Sequence, residues 1–200
     1  MKLNTLLFTV FLISTFSFSQ EKDDLFNMIE QEEKKIELLP EKMIFTQSLL
    51  WGKKGLFRKT GISPLNLENR QKELKIRKTM LTTHQAIGYL TLASMIAQGI
   101  IGGKLYNGDE SLRSTHNTMG KVVNIGYFTG AGLSLFSPPP LINKKVKGFN
   151  SIKAHKILAT VHFSAMVATN YYKDKNKSNH KAAAYTAFAS YATAVLVIKF

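Results

Sequence analysis

The residues of this chain best suited to chemistry are its five histidines, His84, His116, His155, His162 and His180. None falls among the first 83 residues. Four of them stand at or near the start of a long uncharged stretch. His84 precedes Gln85–Gly103, His116 precedes Val122–Asn143, His155 precedes Ile157–Tyr172, and His180 precedes Ala182–Ile198. Neutral imidazole is a common metal ligand, and its protonation changes near physiological pH. The chain has no cysteine, which excludes disulfides, thiolate metal sites and covalent haem attachment through C-x-x-C-H. It also lacks H-E-x-x-H, G-x-S-x-G and a phosphate-binding glycine loop, so a hydrolase has no signature here.

The uncharged stretches are 19, 22, 16 and 17 residues long. With snorkelling or uncharged residues at their edges, each approaches the roughly 20 residues that cross a bilayer. Pro138, Pro139 and Pro140 must end the second helix. A soluble bundle would show a charged face along each helix, and these stretches have none. Gly126 and Gly130 form a G-x-x-x-G, and Gly99, Gly102 and Gly103 cluster at the end of the first stretch. Small residues let membrane helices pack closely or leave room for a flat ligand. Short loops make neighbours antiparallel. The expected fold is therefore all-α: a membrane four-helix bundle, up-down-up-down, with spans at about 82–104, 114–136, 153–172 and 180–199 within residues 79–200.

Topology then pairs the histidines. The first and third helices start on one face, and the second and fourth start on the other. His84 and His155 share one level; His116 and His180 share the opposite level. In a four-helix ring each pair is diagonal, facing across the bundle axis. Two imidazoles so placed can ligate one haem iron from opposite sides, and a bundle core is a usual cofactor site. The expected cofactor is haem b, two per chain, with one or none as the alternatives. The alternatives are four interfacial histidines touching lipid headgroups, another metal, or a proton path.

The stretches Thr83-His84-Gln85, Ser114-Thr115-His116-Asn117, Ala154-His155-Lys156 and Asn179-His180-Lys181 carry one His per helix. Ser-Thr-His-Asn-Thr-Met-Gly at residues 114–120 loosely follows a Ser-x-His-Ser-Trp-x-Gly segment. In these features residues 80–200 resemble the cytochrome b561 family, by His placement and topology and not by an extended motif. The resemblance implies a di-haem core in which the first helix pairs with the third and the second with the fourth. It implies transmembrane electron transfer. The basic ascorbate-binding segment of animal and plant members has no match here, so ascorbate is not implied as the donor.

Other residues fit around this frame. Lys78, Lys153 and Lys156 lie at the level of the first pair, and Arg113, Lys121 and Lys181 at the level of the second. Lys78, Lys121, Lys156 and Lys181 are candidates to neutralise haem propionates, with lipid anchoring as the plain alternative. His162 follows His155 by two turns and lies about 10 Å deeper on the same face. It reads as a buried structural histidine bonded to a neighbouring helix, as a group stacked near a haem, or as a replacement ligand for His155. Met166 shares that face, where packing is its ordinary role. Tyr89, Tyr127, Tyr185 and Tyr191 read as packing or interfacial aromatics.

The N-terminus reads as a signal peptide over residues 1–19. Lys2 supplies the positive start, Leu6–Phe16 the apolar run, and Ser17 and Ser19 the small residues before a cut near Gln20. Residues 20–78 then form an exported, partly helical, basic juxtamembrane segment. Met43–Phe57 suits a helix in the membrane interface. Gly61–Pro64 is a turn, and Asn66 or Ser63 can cap a helix running from Leu67 into the first span.

Net charge is +14, unevenly placed. Residues 21–42 hold eight of thirteen acids, and residues 51–78 hold nine Lys or Arg. Basic residues flanking apolar stretches favour anionic lipid over nucleic acid. The first-pair face holds fourteen Lys or Arg, nine plus five from residues 143–156, against about six opposite. The positive-inside rule would put that face in the cytoplasm. The signal peptide puts it outside, in a bacterial inner membrane, and that orientation is taken here. Expected partners are membrane lipids and a redox partner protein or quinol. The alternatives are a haem-free membrane scaffold and a single-haem anchor subunit of a larger oxidoreductase.

Overall fold

The computed structural model describes residues 37–141 and 150–199, with side chains described through residue 197. The expected signal peptide at residues 1–19 lies outside the described residues. Contacts divide the chain between Leu38 and Leu39, and all the helices of the described residues belong to the second unit, Leu39–Phe200. Among the described residues the structure is all helical, without a strand. Two short helices, α1 (Phe45–Trp51) and α2 (Leu56–Lys59), precede four long ones: α3 (Leu67–Tyr106), α4 (Arg113–Leu135), α5 (Ser151–Tyr172) and α6 (Lys177–Lys199). A single 3-10 turn, Glu110–Leu112, leads into α4.

Local chemistry explains the boundaries. Asn66 caps α3: its side chain accepts the Asn69 N–H at 2.9 Å. Glu68 in the first turn suits the positive end of the helix and pairs with Lys72 at 2.6 Å. Asn66→Ala is expected to cost about 1 kcal/mol, read as a lowered thermal midpoint in detergent. From its cap α3 runs 40 residues without a break, about 60 Å. Gly108, at φ 106°, makes the turn that follows. Asn150 and Asn176 cap α5 and α6 by accepting from Lys153 N–H and Asn179 N–H. Helix α4 stops at Phe136, ahead of the three prolines. The expected interfacial helix over residues 43–57 is instead split into α1 and α2. Gly52 and Gly55 fold the chain so tightly that a Cβ on them would meet backbone atoms at 2.5 and 2.6 Å.

The long helices form two antiparallel hairpins. α3 packs along α4 and α5 along α6, and the hairpins meet through α3 and α6. α4 and α5 stand further apart, bridged by side chains: Tyr127 to His162, and Asn124 to Asn170. The ring order is thus α3, α4, α5, α6, and α3/α5 and α4/α6 are the diagonals. By length and composition, α3 is the one described helix long and apolar enough to cross a membrane.

Residues 39–64 cap one end of this ring. Their interior combines the apolar Leu39 and Trp51 with a buried polar cluster. Glu73, on the first turns of α3, receives both Arg58 and Arg70 and accepts the Ser63 hydroxyl at 2.5 Å. Arg70 reaches on to the carbonyls of Pro139 and Pro140 at 3.1 and 3.3 Å. Arg77 holds the Pro138 carbonyl at 2.6 Å. Trp51 Nε1 donates to the Phe136 carbonyl at 3.0 Å, and Thr46 donates to that of Leu135. The triple-proline segment cannot donate, so it presents carbonyls, and arginines answer them.

Candidate functional site: paired histidines in the bundle

All five histidines are half-buried. Three of them bond the same way. His84 Nδ1–H donates to the Gly130 carbonyl of α4, His155 Nδ1–H to the Ala194 carbonyl of α6, and His180 Nδ1–H to the Thr169 carbonyl of α5, each at 2.9 Å. A carbonyl can only accept, so in each case the proton must sit on Nδ1. Neutral imidazole then keeps its lone pair on Nε2. This is the orientation that ligand histidines adopt, with the far nitrogen tied to a carbonyl and the near one offered to a metal. His116 differs: its Nδ1 is buried without a partner, and its Nε2 lies 3.4 Å from Gln98 Nε2.

These contacts follow a register. Gly130, Ala194, Thr169 and Gln98 lie 14 residues after His116, His180, His155 and His84 respectively. Each His therefore meets the residue that stands 14 positions beyond the histidine of its own hairpin partner. Fourteen residues of helix span about 21 Å, which sets the separation of the two His levels. The hairpins α3–α4 and α5–α6 are thus related by an approximate two-fold along the bundle axis. The sequences agree once aligned on the histidines. His116, Gly120, Gly126, Tyr127 and Gly130 match His180, Ala184, Ser190, Tyr191 and Ala194, while Met95 matches Met166.

The two-fold exchanges α4 with α6 and α3 with α5, so it exchanges the members of each pair. His116 and His180 face each other with ring centres 6.2 Å apart and planes at 81°. A metal–nitrogen bond of about 2 Å, plus roughly 1 Å from nitrogen to ring centre, sets two trans imidazoles about 6 Å apart. Gly102 makes room for this pair, since a Cβ there would lie 2.8 Å from His116 Cε1. At the other level His84 and His155 are tied through Nδ1 to α4 and α6 respectively. Gly130 leaves 3.8 Å between a notional Cβ and His84 Nδ1.

Between the levels sits a packed plug of Met95, Val123, Tyr127, Ala165, Met166 and Ala187. Met166 is part of this core, in its packing role. Tyr127 and Tyr191 meet across the axis at 5.7 Å. His162 bonds Tyr127 Oη through Nδ1 at 2.6 Å and sits edge-on to Tyr191 at 5.1 Å. His162 thus ties α5 to α4 across the wider seam of the bundle.

The lysines are less engaged with the bundle. Lys78, Lys121 and Lys156 are exposed, and Lys181 is half-buried, its ammonium 3.8 Å from the centre of the Tyr106 ring. Among the described residues, no three His, Cys, Asp or Glu side chains gather in a way that would hold a metal ion. Axial ligation of haem asks for two, because the porphyrin supplies the remaining four nitrogens. Two observations fit that group: three imidazoles whose Nδ1 is tied to a carbonyl, and one pair with ring centres 6.2 Å apart; His116, whose Nδ1 is buried without a partner, lacks the carbonyl tie. Sequence spacing pointed to the pairs, and Gly102 stood out as one of a cluster of small residues; Gln98 and the carbonyl partners were missed, and the 14-residue register was the signal for them. No protein-family model, curated protein or solved structure matches the chain.

Proposed function

We propose that this chain is an integral membrane protein that binds b-type haem between paired histidines and carries electrons across the bilayer, in the manner of the cytochrome b561 family. Bound haem would supply a one-electron iron couple. His116 and His180 would hold one group and His84 and His155 the other. The facing of His116 and His180 at 6.2 Å across the α4/α6 diagonal carries this reading.

The surface supports the membrane half. Leu90, Ile125, Ile157, Val167 and Leu196 face outward along the long helices. Gly88, Thr91, Ala165, Ala187 and Ser190 face inward. A bundle with its bulk outside and small or polar residues inside suits lipid and not water. In this reading residues 1–19 are the export signal, the His84/His155 end lies outside the cytoplasm, and the donor is a quinol or a redox partner protein.

The transport test uses full-length, haem-loaded protein in sealed vesicles containing ferricyanide. A membrane-impermeant reductant added outside should bleach the internal ferricyanide. Haem-loaded protein that leaves it unchanged contradicts transmembrane transfer. A local test uses two glycines. Gly102→Ala is expected to displace the His116 ring and alter one haem signal. Gly99→Ala, whose added Cβ meets nothing within 4 Å, should leave both signals as they were.

A further inference from the structure

The cap formed by residues 39–64 buries Leu39 and Trp51 but turns its other large aliphatic and aromatic residues largely outward while polar and charged groups lie inside. In α1 the polar Gln47 is buried, while Phe45 is 78% exposed and Leu49 is exposed beside it. Ile62 is 70% exposed, and Leu56 and Leu67 are also turned outward. The charged groups that water would solvate best, Arg70 and Glu73, are each 1% exposed. A water-facing cap would have the opposite arrangement, because burying ionised groups costs free energy and exposing large apolar ones gains none.

The height of this face is fixed by hydrogen bonds. Thr46 and Trp51 of α1 donate to the carbonyls of Leu135 and Phe136, the last apolar residues of α4. The outward apolar face of α1 is therefore continuous with the apolar band of α4 where that band ends. Lys53, Lys54 and Lys59 stand exposed on the same segment. An apolar face at the end of a spanning helix, bordered by cations, is complementary to the boundary between acyl chains and anionic headgroups.

We propose that this outer face docks into the headgroup layer of an anionic bilayer at the His84/His155 end. The buried Arg58–Glu73–Arg70 lock holds the face preformed, so little chain entropy is lost on docking. The proposal stands on the membrane placement of the long helices and is independent of haem.

The chain contains no cysteine, so single-cysteine variants can be spin-labelled in the full-length protein without background. The labels go at Phe45→Cys and Ile62→Cys, with Leu90→Cys as the mid-helix reference and Glu68→Cys as the aqueous one. Collision with oxygen and with a water-soluble nickel chelate is measured in vesicles of phosphatidylglycerol with phosphatidylcholine. Labels at 45 and 62 should favour oxygen and be shielded from nickel, at a depth shallower than the label at 90. They should become more nickel-accessible in pure phosphatidylcholine, or when Lys53, Lys54 and Lys59 are all changed to Glu. Labels at 45 and 62 that behave like the label at 68 overturn the proposal, as does a depth indifferent to lipid charge. A nickel-accessible label at 90 overturns the membrane placement itself, a failure distinct from that of docking.

Discussion

Replacing His116 by Ala is expected to lower haem from about two per chain to about one, leaving a b-type spectrum of reduced amplitude. His180→Ala should do the same, and the two changes together should be no worse than either alone. Both residues face one position across the α4/α6 diagonal, and a low-spin iron needs both imidazoles. His84→Ala and His155→Ala form the second such set. A double change that takes one residue from each set, His84 and His116, should remove all haem. His162→Ala should retain both groups, because its Nδ1 is committed to Tyr127 and its position falls between the levels. If a single replacement abolishes all haem while its counterpart at the other level changes nothing, the chain holds one haem. The anchor-subunit reading then replaces the di-haem one.

The second large effect lies at the cap. Glu73→Ala is expected to destabilise the folded chain by roughly 3–5 kcal/mol, the usual result of stranding buried charge by removing its partner. Here two guanidinium groups, those of Arg58 and Arg70, lose their carboxylate at once. Thermal unfolding in detergent gives the magnitude. Lys72→Ala is the control: its pair with Glu68 is exposed at the surface, and a change within about 0.5 kcal/mol is expected.

Acid should imitate Glu73→Ala in part. Burial opposes the charge on Glu73, but hydrogen bonds from Arg58, Ser63 and Arg70 outweigh burial and hold its carboxyl below the ordinary value of 4.5. A depressed folded-state value means the stabilisation is complete above the ordinary value and fades as pH falls through the lower one. The cap should therefore loosen in acid and be unaffected near neutral pH. Proteolysis within residues 52–61 at successive pH values would follow it.

How much of this was legible in the sequence depended on how local the signal was. Asn66 or Ser63 marked the start of α3 to within a turn, with Asn66 the one that caps it, and three consecutive prolines announced the end of α4. Both are one-turn effects written in adjacent residues. The four helical stretches were readable from their missing charges, and the pairing of histidines by level followed from alternating direction.

The cap was not legible. Its bonds to the carbonyls at the end of α4 join residues 61 to 89 positions apart, such as Arg77 to Pro138 and Thr46 to Leu135. They use backbone carbonyls, which every residue has. Nothing in the letters Ser-Pro-Pro-Pro marks which arginine will reach them. The approximate two-fold was hidden for another reason. The hairpins keep His and Tyr but exchange one small residue for another, Gly for Ala or Ser. Packing preserves volume at those positions, and identity at few. His162 fell between these cases: its place two turns beyond His155 was readable from spacing, while its half-buried setting and its partner on α4 depended on the width of the α4–α5 seam.

The most direct test of the central reading is a reduced-minus-oxidised absorption spectrum of the full-length protein purified in detergent from haem-replete cells, with haem counted per chain. A b-type spectrum with about two haems per chain is expected from the two diagonal pairs. No haem under those conditions would contradict electron transfer and leave His84, His116, His155 and His180 as residues of helix packing and the membrane interface.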